Sequence, residues 1–137
     1  MKNGTILIVD KDRFYRELYR DLLSGVGYEV HVHDNSVITD LDISLFDLII
    51  YEPNRHEDGL NSIFEKAKKL TYKPEVLVIT SISMSSVKNL IPDDGIHYTY
   101  IKKPFDDSKF LHLVTNIIRV VFQFRNLDLG CKNVEVG

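Results

Sequence analysis

The chain has 137 residues, of which 44% are hydrophobic, and a formal net charge of −3. Its length suits one domain with a hydrophobic core, and its charge provides no basic surface for nucleic acid. The single cysteine, Cys131, excludes an intramolecular disulfide and a cysteine-based metal cluster, and it fits a reducing compartment. The first apolar run is too short for a signal peptide, and no segment has the length of a membrane span. We therefore expect a cytoplasmic single-domain protein.

The first part of the chain predicts two strands around a clear helix. The run Thr5–Asp10 is apolar and ends in an acid, which is typical of a buried strand. Apolar residues then recur every four positions and predict a helix, which Asp12 caps and Gly25 ends. The stretch "YEVHVH" alternates as a half-buried edge strand does. A short helix capped by Asn35 or Ser36 is the weakest of these predictions.

The rest of the chain continues the alternation of strands and helices. Leu48–Tyr51 predicts a buried third strand, and Gly59–Leu70 predicts a helix with a basic end. "PEVLVIT" predicts the fourth strand, and the serine-rich segment before Pro92 predicts a short helix or a loop. "HYTYI" predicts the fifth strand, and "DDSKFLHLVTNIIRVVFQFRN" the last and longest helix. Such alternation predicts an α/β fold with a parallel five-stranded sheet covered by helices on both faces.

We expect a flavodoxin-like, doubly wound sheet of strand order 2-1-3-4-5 over residues 1–125, with residues 126–137 as a tail or linker. The carboxyl ends of parallel strands meet at one edge, where such folds place their functional groups. Asp10, Glu52, Thr80 and Lys103 each follow a different strand. No GxGxxG, Walker-type or flavin phosphate loop follows the first strand, where "VDKDRF" stands, and no histidine lies at a strand end beside a nucleophile.

Four segments carry a family resemblance: "ILIVDKD", "FDLIIYEP" with "DGL" shortly after, "VLVITS" and "YIKKPF". In this order, over about residues 5 to 125, the chain resembles the receiver domain of two-component response regulators. In that family, two adjacent acids bind a divalent metal, and an aspartate after the third strand accepts a phosphoryl group from a histidine kinase. A hydroxyl and a lysine contact the phosphoryl oxygens, and an aromatic side chain on the fifth strand switches rotamer.

The resemblance assigns roles to five positions of this sequence. Asp10 matches the first metal-binding acid, and Thr80 matches the hydroxyl, although a strand-end cap would explain it as well. Lys103 matches the phosphoryl-contacting lysine, and Pro104 follows it in what the family builds as a cis peptide. Tyr100 matches the switch aromatic, with ordinary packing as the alternative.

Two positions depart from the family pattern. Lys11 replaces the second metal-binding acid, so we expect weak magnesium binding and no metal or other cofactor. Glu52 replaces the phosphoacceptor aspartate and is longer by one methylene, which misplaces its carboxylate for in-line transfer. We expect Glu52 to pair with Lys11 and Lys103 in an ionic network that replaces metal and phosphate. Asp12 is a candidate displaced metal ligand, although its role as a helix cap is favoured.

The last predicted helix is apolar almost all round, so it has a second face to bury. Either the tail folds back over it, through Leu127, Leu129 and Val134, or the helix docks a protein partner or a second copy. The predicted interface consists of Phe110, Val114, Ile118, Val121 and Phe122.

The sequence thus predicts a pseudo-receiver, a phosphorylation-independent protein-interaction module in signal transduction that is not an enzyme. One alternative is a functional receiver with an atypical site. The other is a flavodoxin-like domain that binds a nucleotide or another small ligand, against which the missing phosphate loop counts.

Overall fold

A computed structural model describes residues 3–34, 42–53, 63, 66, 67, 69–91 and 97–136, with side chains described up to residue 125. Its five strands form one sheet of order β2-β1-β3-β4-β5, with every neighbouring pair parallel. The strands are β1 (Thr5–Val9), β2 (Glu29–His33), β3 (Leu48–Tyr51), β4 (Glu75–Thr80) and β5 (Tyr98–Lys102). The predicted fold class and strand order are confirmed, and β2 lies at an edge as its alternating pattern indicated.

Three α-helices are described: α1 (Arg13–Gly25), α2 (Met84–Leu90) and α3 (Asp107–Val136). The carboxylate of Asp12 accepts a hydrogen bond from the amide of Phe14, which confirms the predicted cap of α1. The helix ends at Gly25, as predicted. Two residues later Gly27 has a φ of +98°, a conformation that favours glycine, and the chain turns there into β2.

Two predicted helices fall largely outside the described residues. The short one after Asn35 is among them, and the described chain resumes just before a 3₁₀ turn at Ile43–Leu45. Within the predicted helix 59–70, the described residues Ile63, Lys66 and Ala67 are helical.

The core lies on both faces of the sheet. Alternate residues of the central strands point to opposite sides, so Ile6 and Ile8 belong to one cluster and Leu7 and Val9 to the other. The cluster of Ile6 and Ile8 packs against α1 and α3. The cluster of Leu7 and Val9 packs against α2 through Val87. Helices therefore cover both faces, as predicted.

The burial along α3 corrects the predicted interface. Phe110, Val114 and Ile118 are fully buried in the domain's own core, with exposed fractions of 1%, 0% and 3%, so assigning them to an interface was wrong. They occupy the face of the helix that covers the sheet, which sequence spacing alone did not distinguish from the opposite face. Val121 and Phe122 are half-buried.

The end of α3 also differs from one of the two expectations. The backbone remains helical through Val136, so residues 126–136 do not fold back over the helix. No change of secondary structure marks residue 125, where the domain was predicted to end. Among the described residues, no helix has the length and hydrophobicity that crossing a membrane requires.

Candidate functional site

Three of the predicted site residues meet where the carboxyl edge of the sheet passes into loops. Asp10 directly follows β1, Glu52 follows β3 and Lys103 follows β5. The backbone hydrogen bonds between strands continue for one residue past the ends of β3 and β5. The amide of Glu52 donates to the carbonyl of Val9 at 3.0 Å, and the amide of Lys103 donates to the carbonyl of Thr80 at 2.9 Å. These backbone bonds fix where the side chains start, and the parallel register directs them to the same edge.

The ammonium of Lys103 joins the two acids. Its Nζ atom donates to Asp10 Oδ2 at 2.8 Å and lies 2.7 Å from Glu52 Oε2. The side chains of Asp10 and Lys103 are 2% and 6% exposed, so both charges are held away from water. Nζ also lies 3.8 Å from the centroid of the Tyr15 ring, a cation–π contact. The predicted pairing of Glu52 with Lys103 is thus present, and Asp10 is part of it.

Lys11 does not take the place predicted for it. Its side chain is exposed, and the ion pair that the structure describes for Glu52 is with Lys103. The backbone carbonyl of Lys11 accepts a hydrogen bond from Arg16 Nη1 at 2.7 Å, and the same nitrogen donates to the carbonyl of Asp10 at 2.8 Å. The guanidinium therefore ties the loop after β1 to the first turn of α1.

The pKa values of Glu52 and Lys103 are both raised, but for different reasons. Burial raises the pKa of the Glu52 carboxyl, and the charge of Asp10 raises it further against the opposing effect of Lys103. Burial lowers the pKa of Lys103, but the hydrogen bonds and charges of Asp10 and Glu52 outweigh it and leave this pKa raised. One lysine is shared by two carboxylates, so the cation is strongly stabilised while Glu52 receives only part of a counter-charge.

No protein-family model matches the chain, but individual proteins of known sequence or structure are similar to it. The transcriptional regulatory protein CpxR of Escherichia coli K12 is 29% identical over 140 residues, covering 96% of this chain and 57% of CpxR. A putative NtrX-like response regulator of Rickettsia conorii is 26% identical over 141 residues, covering 98% and 29%. A response regulator from Thermotoga maritima superposes with a TM-score of 0.69 at 23% identity, covering 87% of this chain and 99% of its own.

The chain is similar to response regulators over nearly its whole length, and it has the fold of their receiver domains. It spans a little over half the length of CpxR and less than a third of the NtrX-like protein.

The side chains at this edge of the sheet do not fit the magnesium ion that the resemblance to receiver domains implies. One oxygen of Asp10 is bound to Lys103, and the other accepts the amide of Asp12 at 2.8 Å. The Asp12 carboxylate caps α1, and Lys11 brings a positive charge to the position of the second acid. Among the described residues, no three histidine, cysteine or acidic side chains are grouped to hold a metal. Magnesium requires several oxygen ligands and sheds water reluctantly, so an ammonium within this donor set opposes its binding.

Thr80 and Tyr100, which the resemblance assigns to the switch, both hold the loop after β4 in place. Thr80 is buried, and its Oγ1 accepts a hydrogen bond from the amide of Ile82 at 3.3 Å. Tyr100 donates from its hydroxyl to the carbonyl of Ile82 at 2.6 Å. Both side chains therefore restrain the same short segment, one through its amide and the other through its carbonyl. The peptide bond between Lys103 and Pro104 is cis, as the resemblance implied.

Sequence reasoning missed the aromatic cluster to which Tyr15, the ring in contact with the lysine, belongs. Tyr15, Tyr19, Phe105 and Phe110 pack ring against ring, with centroids 5.1 to 6.0 Å apart. Tyr19 is fully buried, and its hydroxyl has no hydrogen-bond partner among the described residues. Burial raises its pKa, and the charges of Asp10 and Glu52 act in the same direction. The signal was present in the sequence, because tyrosines four residues apart share one face of a helix.

Proposed function

We propose that this domain is a pseudo-receiver, which acts in signalling as a protein-interaction module without being phosphorylated. The observation that supports this most directly is the bridge from Lys103 to both Asp10 and Glu52. In a receiver, this lysine is expected to contact a phosphoryl oxygen. Here two carboxylates already occupy its ammonium.

In this bridge, the negative charge of Glu52 takes the place of the negative charge that a phosphoryl group would bring to the lysine. The carboxylate of Glu52 lies on the lysine where a phosphorylated aspartate would bring its phosphoryl group. It has fewer oxygens and less charge than a phosphoryl group, so it reproduces only part of that interaction. Phosphoryl transfer also depends on a metal to stabilise the developing charge, and the donor set of this site opposes one. Phosphoryl transfer at this edge would thus have no acceptor aspartate and a set of side chains that opposes the metal.

We assign the signalling output to protein contacts. The net charge of −3 gives no reason to expect nucleic-acid binding by this domain itself. Thr80 and Tyr100 both form hydrogen bonds with Ile82 and so restrain the loop after β4. The domain would therefore present a constant surface to a signalling protein or to a second copy.

A phosphoryl-transfer assay with a matched gain-of-function variant tests the proposal. The protein is incubated with acetyl phosphate, a small phosphoryl donor, and magnesium, and its intact mass is measured. The control is the double variant Lys11→Asp with Glu52→Asp, which restores both family acids. We expect the wild type to keep its mass and the double variant to gain one phosphoryl group.

The opposite result would identify a functional receiver with an atypical site. Asp10, Thr80, Lys103 and the cis bond before Pro104 are all retained in their receiver positions, so this alternative has structural support. It would be established by a phosphoryl group on the wild type that depends on magnesium and is lost in Glu52→Gln.

A further inference from the structure

The amino edge of the sheet carries a cavity of about 350 Å³, which we call the amino-edge cavity. It lies between the segment that precedes β4 and the middle of α3, and this volume is within the range of small-molecule sites. Its walls include Tyr72, Lys73, Glu75, Val121, Phe124 and Arg125. The six residues of β4 rise by about 3.3 Å each, so roughly 17 Å separates this cavity from the carboxyl edge. The cavity is therefore distinct from the ion cluster around Lys103.

Two aromatic side chains in the wall of the cavity are exposed to solvent. Phe124 is 69% exposed and Tyr72 is 50% exposed. They belong to different elements, yet both line the same concave surface. Exposed apolar surface that is gathered in one cavity and bordered by polar side chains is typical of a binding site. An aromatic ring bound there would remove apolar surface of both side chains from water.

A buried carboxylate fixes the position of Arg125 in the wall. Asp47 directly precedes β3, and its Oδ2 accepts a hydrogen bond from the amide of Thr5 at 2.8 Å. Its Oδ1 accepts a hydrogen bond from Nη1 of Arg125. A guanidinium has five N–H donors, and within the described residues Asp47 is the partner that Arg125 has. Donors of Arg125 thus remain available to a ligand, and they are already oriented before it binds.

The two other charged residues of the wall determine how much negative charge a ligand can carry. Lys73 is exposed, and in the part of the chain that the structure describes no ion pair or side-chain hydrogen bond engages it. Its ammonium adds a second cation to the wall beside Arg125. Glu75, the first residue of β4, lines the same cavity, and its carboxylate repels additional negative charge. A ligand with a single negative charge fits this set better than a phosphate or a dicarboxylate.

We propose that the amino-edge cavity binds a small aromatic carboxylate, with its ring against Tyr72 and Phe124 and its carboxylate on Arg125 and Lys73. The inference goes beyond the proposed function and does not depend on it, because neither Lys103 nor Glu52 takes part. It gives the domain a ligand site at the edge of the sheet opposite the receiver-like site.

An amide NMR titration of the full chain with phenylacetate tests the proposal. We expect a Kd of about 1 mM, which is ordinary for a compound this small, and shifts concentrated in residues 71–75 and 121–125. Phenylacetamide keeps the ring without the charge, and acetate keeps the charge without the ring. Each should bind at least about threefold more weakly than phenylacetate.

Substitutions in the exposed wall separate the contributions of ring and charge. Phe124→Ala should weaken phenylacetate binding by roughly threefold to tenfold, and Lys73→Gln by roughly twofold to fivefold. Glu75→Gln should strengthen binding, because it removes the repulsion. The matched control is Leu45→Ala, because Leu45 is 68% exposed and does not line the cavity. Its affinity for phenylacetate should equal that of the wild type.

Three results would overturn the proposal. The first is an unchanged spectrum at about 20 mM phenylacetate, far above the expected Kd. The second is an affinity that Phe124→Ala leaves unaltered, or equal affinities for phenylacetate and phenylacetamide. The third is a set of shifts around Asp10 and Lys103, which would place the ligand at the carboxyl edge.

These outcomes are distinguishable from those of the phosphoryl-transfer assay. If the wild type gains a phosphoryl group yet binds phenylacetate at the amino edge, the proposed function fails and the cavity assignment stands. If it stays unmodified and binds no phenylacetate, the cavity assignment fails and the pseudo-receiver stands.

Discussion

At the scale of single residues, the proposal of a pseudo-receiver depends most on Lys103. Its ammonium satisfies two carboxylates and also lies over the ring of Tyr15. A buried charge retained with this many partners is costly to remove and difficult to redirect. An incoming phosphoryl group would have to displace Glu52 from the lysine before binding it.

The raised pKa of Glu52 gives a pH-dependent prediction for Glu52→Gln. A carboxyl whose pKa is raised by folding contributes stability below its ordinary value of 4.5 and loses that contribution as the pH rises through the folded value. Glutamine keeps the length of the side chain and has no charge to bury. The free energy of unfolding of Glu52→Gln, relative to wild type, should therefore rise between acid and neutral pH.

Denaturant unfolding at a series of pH values measures this difference. Glu75→Gln serves as the control, because Glu75 is exposed at the start of β4. A relative stability of Glu52→Gln that falls toward neutral pH would contradict the prediction, because it would show that the ionised carboxylate stabilises the fold.

At the scale of secondary-structure elements, the close approach of α3 to the sheet depends on a glycine. Gly4 has a φ of +135°, and a Cβ atom there would lie 3.1 Å from Cγ2 of Ile118. Gly4→Ala should therefore lower the free energy of unfolding by about 2 kcal/mol, through backbone strain and overpacking. Gly25→Ala is the matched control, since a Cβ atom at Gly25 meets nothing within 4 Å.

Thermal or denaturant unfolding of the two variants separates the effects. The control should be neutral or stabilised by up to about 1 kcal/mol, because alanine favours helix more than glycine does. Equal stability of Gly4→Ala and wild type would mean that α3 can move away from the sheet at little cost.

The elements themselves were largely predictable, because each strand is a short apolar run and α1 repeats every four residues. The orientation of α3 was not. Ile118 and Val120 are both apolar and close in sequence, yet the first is buried and the second exposed. When most residues of a helix are apolar, hydrophobic periodicity does not show which face meets the sheet, and only the packing decides it.

At the scale of the whole molecule, the sequence predicts which residues come together at the strand ends. It does not predict which hydrogen bonds and ion pairs those residues form. Parallel topology brings Asp10, Glu52 and Lys103 to one edge, and this follows from strand order alone. The sequence does not show that Lys103 bridges both acids while Lys11 is exposed, because side-chain direction depends on local packing. The aromatic cluster near the lysine joins α1 to α3. The sequence indicates its Tyr15–Tyr19 part, but the contact of Tyr19 with Phe110 depends on the packing of the two helices.

The most direct test of the pseudo-receiver assignment is an amide NMR titration with magnesium, followed by beryllofluoride, a mimic of the phosphoryl group. A pseudo-receiver with its lysine already occupied should show an unchanged spectrum at millimolar magnesium and no response to beryllofluoride. Shifts centred on Asp10, Glu52 and Lys103 that spread to Tyr100 would contradict the assignment, because they would show a site that still binds metal and switches.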